Sequence, residues 1–286
     1  MLPDRPPTAR ELLTFYLEAG VDCALSDTPV NRLADDDAPE PALAAPAQAR
    51  SMTERPAPSS IQPAARQPAR GAPVPAATAE QAPEAAAAAA RQIATTAGSL
   101  EELRALLAKF DGCALKTTAT QLVFADGNPQ ARIMCVGEAP GRDEDIAGLP
   151  FVGRSGQLLD RMLAAIGLDR TSVYIANIIP WRPPGNRTPT PQETQICLPF
   201  IRRQIELVNP DVLVTLGNPS TQGILSVTTG IMRTRGRWMD YNTGTRTIPA
   251  MPTFHPAYLL RSPAYKRLAW QDLRAIRKKL AETAPG

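Results

Sequence analysis

Residues 133–163, IMCVGEAPGRDEDIAGLPFVGRSGQLLDRML, decide how this chain reads. The apolar run Ile133, Met134, Cys135 and Val136 has the composition of a buried strand. The chain then turns at Gly137-Glu138-Ala139-Pro140-Gly141, crosses an acidic loop and presents Pro150-Phe151-Val152-Gly153. A helix follows, with Leu158, Leu159, Met162 and Leu163 on one face and Ser155 as its N-cap. A glycine-rich turn after a buried strand lets backbone N–H groups approach a ligand. Glu138 and Phe151 are expected to face one crevice. The segment lacks GxGxxG and has no Lys-Ser/Thr after its glycines, which counts against a dinucleotide fold or a P-loop.

Outward from this stretch, strands alternate with helices. Residues 121–125 and 132–136 read as a strand pair. Residues 173–177, 211–217 and 247–254 read as further strands, the last less regular because of Pro249 and Pro252. Leu100–Lys109 reads as a helix capped by Ser99. Pro191–Val208 reads as a helix capped by Thr190 with Pro in its first turn, and 263–280 as a closing helix. The pattern predicts an α/β fold, a three-layer α/β/α sandwich around a central, mostly parallel sheet. Such sheets bind ligands beyond the carboxyl ends of their strands. Gly137-Glu138, Asn177, Gly217-Asn218 and His255 all fall at such ends.

The other parts of the chain differ in character. Residues 8–20 fit a short amphipathic helix, with Thr8 as cap, Glu11 at the capping-box spacing and Gly20 as stop. Its apolar face is too small to stand alone, so it docks on the main domain or binds a partner. From about residue 34 to 90 Pro and Ala dominate, and no aromatic residue occurs between Leu17 and Lys109. Such a stretch buries too little to offset the entropy of ordering. The expected organisation is an N-terminal helical appendage (1–33), a disordered Ala/Pro-rich linker (34–92) and a compact main domain (93–286), with the alanine run at 85–90 able to join a helix toward Ile93.

The net charge of +3 decides little, but its distribution is uneven. From Ile231 onward eleven Lys/Arg face three acids, a balance suited to phosphate contacts. Arg233, Arg235 and Arg237 form a basic loop suited to such phosphate contacts, which the resemblance drawn below implies are to a DNA backbone. There is no apolar run of the roughly 20 residues needed to span a bilayer, and no secretory signal pattern. Four scattered cysteines do not suggest a disulfide framework, so a reduced, cytoplasmic setting is expected.

Two polar residues at strand ends stand out. His255, the single histidine, lies in Phe254-His255-Pro256-Ala257. A zinc site is excluded as its role, since such sites group several His and Cys ligands. Asn177 offers a donor and an acceptor side by side, which matches the edge of a pyrimidine.

Three ordered motifs, GEAPGRDEDIAGLPFVGRSGQLLDRML, NIIPWRPPGNRTPTPQE and FHPAYLLR, together resemble the uracil-DNA glycosylases of family 4. The resemblance runs from about Ser99 to the closing helix. It implies base-excision repair: uracil is flipped out of DNA and its N-glycosidic bond hydrolysed, leaving an abasic site. By position, it implies that Glu138 serves the water side, Phe151 stacks on uracil, Asn177 reads the uracil edge and His255 stands near O2. Glu144 is a further acid lining the site, and Gly137 and Ala139 complete the substrate loop. Ala139 stands where family 1 enzymes place a water-activating aspartate, which leaves this chain without that base. Leu259, Leu260 and Arg261 follow the histidine on a loop, where an apolar side chain can wedge into the vacated stack; burial under the last helix is the other reading. A related group of uracil-binding proteins carries a histidine in a comparable basic loop and becomes linked to DNA; the loop 233–237 has none, so no such adduct is expected.

Family 4 members hold a [4Fe–4S] cluster on four cysteines. Cys113 and Cys197 match two ligand positions, whereas Phe110 and Trp181 stand at the others. Cys135 falls in the core strand and Cys23 in the appendage. A cluster needs four thiolates as a rule, so none is expected, with the two aromatics filling its volume. The remaining expectations are a monomer that binds uracil-containing DNA and its abasic product near the nucleoid, with a repair or replication partner on the N-terminal helix. A glycosylase-like protein that binds uracil or abasic DNA with weak turnover is the alternative.

Overall fold

The computed structural model describes residues 77–283. The amphipathic segment 8–20 and residues 34–76 of the expected linker lie outside the described residues. Six strands form one sheet in the order β1-β3-β2-β4-β6-β5: β1 Asp126–Gly127, β2 Ile133–Gly137, β3 Tyr174–Asn177, β4 Val212–Leu216, β5 Met239–Asn242 and β6 Thr247–Thr253. The four central strands are parallel, and the two edge strands are antiparallel to their neighbours. Every residue of β2, β3 and β4 is buried, as expected of strands covered by helices on both faces.

The two-residue period of a strand sorts these side chains into two cores. Met134, Val136, Tyr174 and Leu213 pack with Phe200, Ile201 and Ile205 of the helix Pro191–Val208. Ile133, Cys135, Ile175 and Val214 pack on the opposite face with Leu159 and Leu163 of Arg154–Ala164 and Leu273 and Ile276 of Lys266–Glu282. The three-layer sandwich expected from the alternation is therefore the observed one.

Several local expectations are corrected. The linker does not extend to residue 92, because Ala77–Thr96 is a helix packed on Pro191–Val208. Ala87, Ala90 and Ala94 are buried at helical spacing. A stripe of methyl groups lets two helices approach closely and needs no aromatic residue to form a core contact. Residues 121–125 form no strand; Val123 and Phe124 are buried in an irregular run, and the short β1 pairs with β3 rather than β2. β5 was not expected. Its sequence MDYN is mostly polar, and it is held by a hairpin at 243–246, where Thr243 N–H donates to Arg246 O. β6 is continuous through both prolines, and it is an interior strand. The cap of Arg154–Ala164 is Gly153 rather than Ser155. The acidic loop is a short helix, Arg142–Ala147, and residues 259–261 end another, Pro256–Arg261, rather than a loop. The closing helix runs Lys266–Glu282 after a tight turn at Pro263–Tyr265.

Candidate active site

The register of the parallel strands brings the polar strand ends together. Gly137 at the end of β2 lies opposite Asn177 at the end of β3. The ladder runs on past both, with Ile179 N–H donating to Glu138 O at 3.0 Å. A Cβ on Gly137 would stand 2.6 Å from Phe151 Cζ and closer still to Asn177 Oδ1. Glycine is thus what allows the amide and the ring to meet over the strand end. On the other side of β2, β4 is followed by Gly217, whose φ is +88° and whose missing Cβ leaves room for His255 Cβ, 2.9 Å from where it would be.

Glu138, Phe151, Asn177 and His255 line one crevice of about 220 Å³. That is below the usual range for drug-sized ligands and suits a single ring. Phe151 and His255 face each other with ring centroids 5.4 Å apart and planes 29° apart. Asn177 is buried, and its Oδ1 has no hydrogen-bond partner among the described residues; the same holds for Glu138 Oε1. Buried polar atoms without partners are costly and rare in folded proteins. Burial raises the Glu138 carboxyl above its ordinary value.

His255 caps the helix Pro256–Arg261 with its own ring: Ala257 N–H donates to Nδ1 at 3.1 Å. An acceptor Nδ1 carries no proton, so the neutral ring carries its proton on Nε2, a donor. Burial, and then the charge of Arg261, lower its pKa to about 4. The imidazole is therefore neutral at neutral pH.

The other expected site residues divide. Glu144 borders the crevice, but its carboxylate is occupied. Oε2 accepts from Gly141 N–H at 3.0 Å, and Oε1 accepts from Val152 and Gly153 N–H at 3.1 and 3.0 Å. It shapes the two turns that frame the crevice. Ala139 lines the wall as expected. Arg233 and Arg237 are exposed. Arg235 is not a free phosphate contact: it forms a two-pronged ion pair with the buried Asp272, donates to Leu268 O and lies over the Phe254 ring. Leu259 is 1% exposed and packed in the core, so it is no wedge, whereas Leu260 is 37% exposed and Arg261 is exposed. Sequence reasoning missed Ser155, Pro183, Asn186 and Arg187 on the crevice walls. The motif WRPPGNR carried the signal for the last three.

The family model of the uracil DNA glycosylase superfamily matches residues 124–274. The chain is 43% identical over 168 residues to a type-4 uracil-DNA glycosylase of Thermotoga maritima, covering 58% of this chain and 86% of the relative. It is 40% identical over 177 residues to a type-4 uracil-DNA glycosylase of Archaeoglobus fulgidus, covering 60% and 89%. With one from Sulfurisphaera tokodaii the identity is 38% over 185 residues, covering 63% and 84%.

The residues at the family's cluster position do not fit a four-cysteine cluster. Cys113 and Cys197 adjoin, with Sγ atoms 3.9 Å apart and Cys197 donating. That hydrogen bond lowers Cys113 and, together with burial, raises Cys197. Phe110 folds over Gly112 and lies 5.1 Å from the Phe200 ring, and Trp181 is fully buried. Cys135 sits inside β2, where burial pushes its thiol up to about 12. Among the described residues no three His, Cys, Asp or Glu side chains converge on a metal position.

Proposed function

This chain belongs to the uracil-DNA glycosylase superfamily and is a uracil-DNA glycosylase of DNA repair, and we propose how its crevice carries out that reaction. A uracil inside a duplex is out of reach until it leaves the stack. Phe151 gives the everted base a flat face, a contact worth about 1–3 kcal/mol. Asn177 reads its edge, with Oδ1 accepting from N3–H and the amide N–H donating to O4. The observation that carries this reading is the buried, unpartnered Asn177 Oδ1 beside the Phe151 ring.

As the N-glycosidic bond breaks, its electron pair goes to the uracil ring and positive charge develops on the sugar. His255 Nε2–H donates to O2 where the negative charge collects, the arrangement of an oxyanion site. Glu138 opposes the charge on the sugar and orients the water that adds to it. No carboxylate stands at Ala139, so Glu138 alone fills that role. Leu260, the exposed leucine after the histidine, is the wedge that fills the vacated stack. Arg233, Arg237 and Arg261 hold the DNA backbone without reading sequence.

The protein works without an iron–sulfur cluster, with Phe110 and Trp181 as apolar packing in its place. About four irons per purified chain with matching absorbance would overturn this. Duplex and single-stranded oligonucleotides bearing one uracil, treated with protein and then alkali, test the reaction itself. Strand scission over many turnovers, lost in Asn177→Ala, is the expected result. Product retained without turnover would instead mark a uracil- or abasic-DNA-binding protein.

A further inference from the structure

Phe151 has a φ of +55°, in the left-handed region. The other non-glycine residues with positive φ among the described residues are Asn186, Asn209 and Ser226. Asparagine tolerates that region because its short side chain hydrogen-bonds locally, and serine has a comparable short polar group. A bulky phenylalanine there is an outlier that persists only where its surroundings enforce it. Two features surround it here. Gly156 lies against the Phe151 carbonyl so closely that a Cβ would overlap it. Arg170 spans the turn, donating to Phe151 O and, at 3.2 Å, to Pro150 O. The same guanidinium is anchored to Asp160 Oδ1 at 2.9 Å and to Asp126 Oδ2 at 2.5 Å. These carboxylates come from the helix Arg154–Ala164 and from β1. Arg170 does not line the crevice.

We propose that Arg170 is the positioning residue of the uracil-stacking face: its fork across two successive carbonyls holds the Phe151 backbone in the left-handed conformation that stands the ring over Gly137 and beside His255. This rests on the reading of Phe151 as the stacking face. A planar fork suits the task because it meets several acceptors in fixed directions, whereas a lysine ammonium is a point charge on a flexible stem. A residue that merely staples the loop would affect stability. A residue that acts through the ring must also affect uracil affinity, and only while the ring is present.

The test compares wild type, Phe151→Ala, Arg170→Lys and the double variant, at a temperature where circular dichroism shows each folded. Three quantities are read: kcat/KM on a uracil oligonucleotide, inhibition by free uracil, and affinity for uracil-free duplex. Arg170→Lys is expected to lower kcat/KM about 10-fold and to weaken inhibition by free uracil in step, with duplex affinity unchanged. In the Phe151→Ala background the same change costs less than about twofold. A wild-type rate in folded Arg170→Lys, or an equal loss in both backgrounds, overturns the proposal. If Phe151→Ala itself cuts at the wild-type rate, the stacking reading fails and this inference with it. Should Arg170→Lys not fold, Asp160→Asn, which removes one anchor, takes its place in the same cycle, with a smaller loss that must again vanish without the ring.

Discussion

Replacing Gly137 by alanine would ask whether the Asn177 amide and the Phe151 ring act as one recognition unit. Gly137 does not have a positive φ, so alanine meets no backbone strain and the perturbation is a single methyl group. That methyl would stand 2.6 Å from Phe151 Cζ and nearer still to Asn177 Oδ1. Ordinary contact begins near 3.4 Å, so the ring must retreat by about 0.8 Å and the amide by more. Both are 4% exposed, so neither can swing out freely. Overpacking of this kind costs about 1–3 kcal/mol of stability, a loss a folded domain can survive. The atoms that move are, however, the ones proposed to read the base, and a misplacement near 1 Å can cost about 100-fold in rate. The assay is kcat/KM on a duplex with one uracil, beside thermal unfolding of the same preparation. A drop of about two decades with a modest shift in melting is expected. A folded Gly137→Ala protein within about threefold of wild type would refute the idea that these two groups meet the base together.

The remaining expectations follow from the same geometry. His255→Ala should lower kcat by about 10²–10³-fold, the usual effect of losing one oxyanion donor, with duplex affinity preserved. The rate should fall on acidification with an apparent pKa above the ordinary glutamate value, and Glu138→Gln should flatten that limb in a pH–rate profile. Stability should also fall as pH drops from about 6.5 toward 4: the unfolded histidine takes up a proton there and the folded His255 does not until about 4. The full effect is roughly 3 kcal/mol, readable as a melting shift that His255→Ala abolishes. Arg235→Ala should destabilise the fold by about 3–5 kcal/mol, because it strands the buried Asp272. It should leave the salt dependence of DNA binding unchanged, whereas Arg233→Ala and Arg237→Ala should each flatten it.

The sheet was legible because β2, β3 and β4 are apolar runs that end in or just before Gly137, Asn177 and Gly217, with His255 just after β6, and a parallel sheet puts those ends side by side. The helix Pro191–Val208 was legible because Thr190 is a residue type that caps and Pro191 suits a first turn; the structure adds Glu193, which closes a capping box with Thr190. What escaped depends on partners distant along the chain. Nothing local in Arg235 announces that it is spent on Asp272, 37 residues later. Glu144 reads as a site acid, yet its oxygens are taken by backbone N–H groups of two turns. The left-handed backbone of Phe151 has no signal in PFVG, since it is imposed by Gly156 and Arg170. The chemical groups of the crevice could be named from the sequence, but the scaffold that aims them could not.

Burial acts on the two titrating groups of the crevice in opposite directions, which suits the roles proposed for them. It raises Glu138 above the usual carboxyl value and lowers His255 to about 4. In the proposed mechanism the departing uracil anion is met by the Nε2–H of a histidine that burial keeps neutral at neutral pH, and by the Asn177 amide. Neutral donors suit a poorly solvated crevice: they need no counter-ion, and low local dielectric strengthens each hydrogen bond to the growing charge. In that scheme Glu138 is the group proposed to act through its charge, because the sugar turns positive while the base turns negative. Oε1 of Glu138 and Oδ1 of Asn177, buried without protein partners, are the acceptors the proposed mechanism assigns to the sugar side and to the base.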